Sequence, residues 1–187
     1  MSLQITLIRH GKADKSLPNH REHPLSPEGC NQALNLRIKL GHPQFDLVCH
    51  SVLRRTKETA VIVSNSTFAS MIEIPGLFYE EGDPREQAIE FAWERLGHGT
   101  LFQYFEVESE IASLANEAKG AILGKIAETG AKNVLVVGHD LITTAICRSI
   151  LGQDEPFLNF VCNETEGFRL TIDDEGQVTS VEILKNQ

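Results

Sequence analysis

Leu3-Gln4-Ile5-Thr6-Leu7-Ile8-Arg9-His10-Gly11 decides how the rest of the chain is read. Residues 3 to 8 are β-branched and mostly apolar, the pattern of a buried strand. The run stops at Arg9-His10-Gly11, so the polar residues stand at its C-terminal end. In open α/β sheets ligands bind at that edge. Two more segments repeat the design. Residues 45 to 49 (FDLVC) predict a second strand, followed by His50-Ser51 and a helix over about 53 to 64 that carries Arg54 and Arg55 near its start. Residues 133 to 137 (NVLVV) predict another strand, ending at Gly138-His139-Asp140 and followed by a helix over 141 to 151.

The remaining segments fill in an α/β chain. Residues 12 to 23 are polar, contain Pro18 and read as loop. Ser26 is placed to cap a helix with Pro27 in its first turn. Ala33, Leu34, Leu36, Ile38 and Leu40 supply its apolar residues up to Gly41. Residues 72 to 74 suggest a third strand. Ile111, Leu114, Ala115, Ala118, Ile122 and Ile126 recur at helical spacing within 102 to 128. Residues 167 to 184 predict a hairpin turning at Asp173-Asp174-Glu175-Gly176. Alternating strands and helices give the expected fold class: a three-layer α/β/α sandwich around a largely parallel central sheet. Residues 1 to 187 are read as a single domain. The acidic, aromatic segment 76 to 103 is the expected cap or lid insertion, with Phe91 and Trp93 as packing or lid residues.

Composition narrows the partners. The chain has 17 basic and 26 acidic residues, a formal net charge of −9. Long-range attraction to nucleic acid or anionic membrane is therefore not expected, and an anionic substrate must be captured by a local cationic cluster. Hydrophobic residues make up 41% and charged residues 23%, which suits a soluble globular protein. Cys30, Cys49, Cys147 and Cys162 form no C-x-x-C pair, so neither a zinc ribbon nor a thioredoxin-like motif is indicated. Scattered thiols suit a reducing compartment. The N-terminus lacks a signal-peptide pattern and no apolar run reaches membrane-spanning length, so a cytoplasmic location is expected.

Arg9, His10, Arg54, Arg55 and His139 come from three strand ends that this class of sheet can bring to one pocket. Arginine's planar fork matches phosphate oxygens, and helix N-termini add unpaired N–H groups. Each residue has a plainer reading taken singly. A histidine after a strand is often structural, and one of two adjacent arginines at a helix start faces solvent or an acidic neighbour. His20, His23, His42, His50 and His98 are most simply loop or surface residues. The joint pattern is what points to phosphoryl chemistry.

Leu7-Ile8-Arg9-His10-Gly11 resembles the signature of the histidine phosphatase superfamily. Pro24-Leu25-Ser26-Pro27-Glu28-Gly29 is similar to that family's Leu-Thr-x-x-Gly helix start, with Ser26 in place of threonine. Ser51-Val52-Leu53-Arg54-Arg55-Thr56-Lys57-Glu58-Thr59-Ala60 resembles its Ser-x-Leu-x-Arg-Ala-x-Gln-Thr-Ala block. Val136-Val137-Gly138-His139 resembles the block with the second histidine. The matches fall in family order over residues 5 to 145. They imply a phosphoglycerate mutase-like fold, His10 as a nucleophile that becomes phosphorylated, and Arg9, Arg55 and His139 as phosphate ligands. The register selects Arg55 over Arg54. Ser16 falls where some relatives place a further polar phosphate ligand. No cofactor and no metal is expected.

For the proton donor to the leaving group, Phe78-Tyr79-Glu80 is similar to the family's hydrophobic-x-Glu pattern. Glu80 is the first candidate, Glu81 the next and Asp140 the third. His139-Asp140 resembles the pair of the acid-phosphatase and phytase branch. That branch starts Arg-His-Gly-x-Arg-x-Pro, however, and this chain reads Arg9-His10-Gly11-Lys12-Ala13-Asp14. The resemblance implies hydrolysis of phosphomonoesters or phosphohistidine, on a small phosphorylated substrate or a phosphohistidine protein. The alternatives are mutase-type transfer between phosphoglycerates and a non-catalytic phospho-ligand or protein-binding module. The short, acidic chain favours hydrolysis.

Overall fold

The computed structural model describes residues 2–65, 70–79, 82–85, 87, 109–151 and 162–186. Its elements in chain order are β1 (Leu3–Arg9), α1 (Pro27–Lys39), β2 (Leu47–His50), α2 (Arg54–Ser64), β3 (Ser70–Glu73), α3 (Ser109–Thr129), β4 (Asn133–Gly138), α4 (Asp140–Leu151), β5 (Gly167–Ile172) and β6 (Val178–Leu184). A single 3-10 turn, His20–Glu22, interrupts the loop after β1. Of the expected cap over 76 to 103, only 76–79, 82–85 and 87 are described, so Phe91, Trp93 and His98 lie outside the described residues.

One six-stranded sheet runs in the order β3-β2-β4-β1-β5-β6. The first four of these are parallel; β5 and β6 form the expected antiparallel hairpin on one edge. The turn is closed by Asp173, whose carboxylate accepts the N–H groups of Glu175 and Gln177. Alternation along the strands sends apolar residues to both faces. Ile5, Leu7, Leu47, Val134 and Val136 pack with α3 and α4. Ile8, Val48, Leu135 and Val137 pack with Ala33, Leu36, Ala60 and Val63 of α1 and α2. This is the three-layer sandwich. Burial on both faces explains why these strands read as continuous apolar runs.

Element ends differ from the sequence reading for local reasons. β1 continues through Arg9, whose backbone pairs in register with Gly138. β2 begins at Leu47 because the Asp46 carboxylate takes the N–H groups of Lys132 and Asn133. α1 stops at Lys39, where Gly41 and His42 enter left-handed conformations (φ 73° and 55°).

The register aligns the functional strand ends. Arg9 lies opposite Gly138, His50 opposite Val137, and the His10 N–H donates to the Gly138 carbonyl at 3.1 Å. α1 is drawn against this edge by backbone contact. Ser26 Oγ caps the Gly29 N–H at 3.0 Å, while the Ser26 N–H donates to the Lys12 carbonyl at 2.8 Å. A Cβ on Gly29 would overlap the Lys12 backbone, and one on Gly11 would lie 2.6 Å from the Gly29 oxygen. Glycine at 29 therefore lets the helix start touch the strand-end loop. Gly29→Ala is expected to lower unfolding stability by about 3 kcal/mol, since the clash is with backbone. A urea midpoint equal to that of the wild type would show that the two segments do not approach this closely.

Candidate active site

His10 follows β1 and is buried. Its Nδ1 lies 2.6 Å from the Gly11 carbonyl oxygen, so the ring N–H belongs on Nδ1 and donates there. That leaves the lone pair on Nε2. Burial is the main force holding the imidazole neutral, and the Arg55 charge adds to it. The Gly11 carbonyl opposes the shift and Arg9 reinforces it; the pKa falls to about 3.

Arg55, in the first turn of α2, points Nε at this lone pair from 3.1 Å and donates from NH1 to the His20 carbonyl at 2.8 Å. Burial lowers its pKa to about 10, so it remains a cation at neutral pH. Arg54 turns the other way and pairs with Glu58 at 2.7 Å on the exposed helix face. Glu58 also receives the Leu25 N–H, tying α2 to the loop before α1.

His139 joins β4 to α4. Its ring meets His10 edge-on with centroids 5.0 Å apart, and Phe78 packs on it at 4.6 Å. Its Nε2 lies 3.0 Å from Ser51 Oγ. Burial, then His10, Arg55, Arg9 and His20, hold its pKa well below the usual imidazole range. Arg9 NH1 donates to the Cys162 carbonyl at 2.9 Å and lies 3.6 Å from Asp140; NH2 lies 3.9 Å from Glu164. Arg9 Nε is buried with no hydrogen-bond partner among the described residues.

Arg9, His10, Arg55 and His139 thus line one cavity of about 1060 Å³. Asp140 lines it too. Ser16 is exposed in the neighbouring loop, with its N–H on the Asp14 carboxylate at 3.0 Å; Asp14 and Lys15 line the cavity there. Glu80 and Glu81 lie outside the described residues, while Phe78 and Tyr79 are cavity-lining. Two histidines read as plain loop residues, His20 and His23, also line it. His50 is buried instead of exposed, with Nδ1 donating to the Ser51 carbonyl at 2.8 Å. Ser51 is legible in the sequence as part of the second strand end but without a stated role, and Cys162, Glu164 and the Gly11 carbonyl are not legible there as site groups. The Thr165 N–H reaches the Arg9 carbonyl at 3.1 Å from a left-handed turn (φ 59°), and the Glu166 carbonyl accepts the Arg9 N–H at 2.9 Å.

A neutral imidazole lone pair held against the Arg55 guanidinium, with Arg9 lining the same cavity, can attack an electrophile whose anionic oxygens take over the guanidinium N–H groups. Among the described residues no group of three or more His, Cys, Asp or Glu is placed to hold a metal ion, and no helix is long and apolar enough to cross a membrane.

Comparison with known proteins gives the family and the fold. The family model for the histidine phosphatase superfamily (branch 1) matches residues 5–183. No curated protein matches the chain by sequence. The alpha-ribazole phosphatase from Shigella flexneri is 21% identical, with a TM-score of 0.65 over 100% of this chain and 96% of that one. A mycobacterial glucosyl-3-phosphoglycerate phosphatase is 16% identical, with a TM-score of 0.65 over 98% and 97%. The protein histidine phosphatase SixA, solved with tungstate, is 17% identical, with a TM-score of 0.63 over 99% and 97%. At these identities the likeness is one of fold.

Proposed function

The chain belongs to the histidine phosphatase superfamily, and on that premise we propose that it hydrolyses phosphomonoesters or phosphohistidine through a phosphohistidine formed on His10. The observation that carries this reading is the commitment of His10: Nδ1–H is spent on the Gly11 carbonyl, which puts the lone pair on Nε2, where it accepts the Arg55 Nε–H until a phosphoryl group draws that guanidinium to its oxygens.

The Nε2 lone pair attacks phosphorus in line, the P–N bond forms and the bond to the leaving oxygen breaks. Arg9, Arg55 and His139 hold the equatorial oxygens and offset their charge. The leaving oxygen takes a proton from a carboxylic acid, for which Glu80 is our first choice. Phe78 and Tyr79, the two residues before it in the chain, line the cavity. Water then attacks phosphorus, the P–N bond breaks, and the carboxylate recovers a proton from that water. Inorganic phosphate and neutral His10 are regenerated. The cationic side chains supply the charge compensation, so the reading needs no metal.

The cavity is also lined by Phe78, Tyr79, Ile111, Leu114, Leu141 and Ile142. Such a lining favours a small organic phosphate whose leaving group has an apolar face. The names of solved relatives include two small-molecule phosphatases and a protein histidine phosphatase, which favours hydrolysis over transfer between phosphoglycerates.

The acid is tested by leaving group. Glu80→Gln is expected to slow hydrolysis of an alkyl phosphate by about 10²-fold or more. Turnover of p-nitrophenyl phosphate, whose leaving group scarcely needs a proton, should fall by less than about tenfold. Equal losses on both would remove Glu80 as the acid and turn attention to Glu81 and Asp140. Exchange of phosphoryl groups between phosphoglycerates, without net hydrolysis, would replace the whole reading by the mutase.

A further inference from the structure

His139 has only one ring nitrogen to offer a substrate. Nε2 is taken by Ser51 Oγ at 3.0 Å, so Nδ1 is the nitrogen left for a phosphate oxygen. Burial and the surrounding positive groups keep the ring neutral, and a neutral imidazole carries a single N–H. With that proton on Nε2, Nδ1 would turn a lone pair towards an oxygen that also carries lone pairs. With it on Nδ1, His139 donates. The tautomer therefore decides whether His139 binds a phosphoryl group or repels it.

Ser51 stands where that choice is made. It is fully buried one residue after β2, in a small hydroxyl network. Its Oγ accepts the Leu53 N–H at 3.3 Å and lies 2.9 Å from Thr56 Oγ1. The Thr56 hydroxyl has its own acceptor, the Leu53 carbonyl at 2.7 Å. When the Thr56 proton turns instead to Ser51 Oγ across the 2.9 Å contact, that oxygen accepts from both Thr56 and the Leu53 N–H, and the Ser51 proton goes to His139 Nε2. We propose that Ser51 is a positioning residue acting through His139: its hydroxyl donates to Nε2, fixes the Nδ1–H tautomer, and so makes His139 a donor to the phosphoryl group.

The kinetic consequence rests on the phosphatase reading; the tautomer itself does not. The test is long-range ¹H–¹⁵N NMR of histidine-labelled protein with tungstate as the phosphate-like probe. In the wild type, His139 should show a protonated Nδ1 and an unprotonated Nε2. Ser51→Ala should shift the ring towards Nε2–H and weaken tungstate binding. It should lower kcat/KM by about 10- to 30-fold, equally for p-nitrophenyl and alkyl phosphates, short of the ~10²–10³ lost with a whole oxyanion donor. Thr56→Val disturbs the same buried network but leaves the Ser51–His139 bond, so it should keep the tautomer and stay within about threefold of wild-type rate.

A wild-type ring protonated on Nε2, or on both nitrogens, overturns the proposal. So does a Ser51→Ala spectrum identical to the wild type. If Ser51→Ala does not fold, the wild-type spectrum alone decides. Correct tautomers without phosphate-ester turnover would sink the phosphatase reading and leave Ser51's role standing.

Discussion

His10→Ala is expected to lower turnover of p-nitrophenyl phosphate by at least about 10⁴-fold and to abolish the acid-labile phosphoenzyme, because loss of a covalent nucleophile leaves only binding and charge stabilisation. Among the described residues, neither the second histidine of the pair nor the arginines stand in for it. His139 has its Nε2 on Ser51 and its ring turned edge-on to His10. The guanidiniums of Arg9 and Arg55 are cations without a lone pair to donate. Arg9 and Arg55 survive the substitution, so tungstate should still bind with an affinity within about tenfold of wild type. Binding without turnover is the signature of a lost nucleophile. An alanine protein that still turned over at near the wild-type rate, or still trapped a phosphoenzyme, would dismiss His10 and the covalent route with it. A wild type that binds tungstate but never turns over would favour a phospho-ligand module.

The legible part of this protein was local. Residues 5 to 8 and 134 to 137 are buried on both faces, and strands so placed are apolar but for Thr6. Ser26-Pro27 at a helix start and Asp173 to Gly176 at a turn follow from backbone chemistry within a few residues. His10 and His139 were legible because each follows such a strand. What the sequence could not display is pairing between distant segments. The order β3-β2-β4-β1-β5-β6 depends on crossovers that leave no local period. Ser51 meets His139 across 88 positions, and Cys162 offers its carbonyl to Arg9 across 153. A backbone carbonyl has no side-chain identity to read, so neither Gly11 nor Cys162 could announce its role. Arg54 and Arg55 show the boundary between the two cases. Their chemistry is identical, and only the helix phase turns one to Glu58 in solvent and the other to His10.

Arg55→Gln should therefore be the second most damaging change, with a loss in kcat/KM of about 10²- to 10³-fold at neutral pH, the range for removing a charged oxyanion ligand. Lysine should recover less than about tenfold of this, because an ammonium lacks the fork that bonds His20 and the nucleophile's side of the cavity together. The substitution has a second consequence, through His10. Burial depresses that imidazole first and the Arg55 charge next. Without the charge the pKa rises from about 3 towards its ordinary 6.5. A protonated imidazole has no lone pair on Nε2, so the variant loses nucleophile as the pH falls over a range where the wild type keeps it. The profile of kcat/KM between pH 4 and 8 should thus show an acid limb for Arg55→Gln at higher pH than any His10 limb of the wild type. NMR titration of His10 in the two proteins should show the same displacement, upward in the variant. An unchanged His10 titration would mean that the guanidinium does not sit against the nucleophile. A rate loss without that shift would leave Arg55 as a phosphate ligand alone, while a shift without the loss would make it only the guard of a neutral His10.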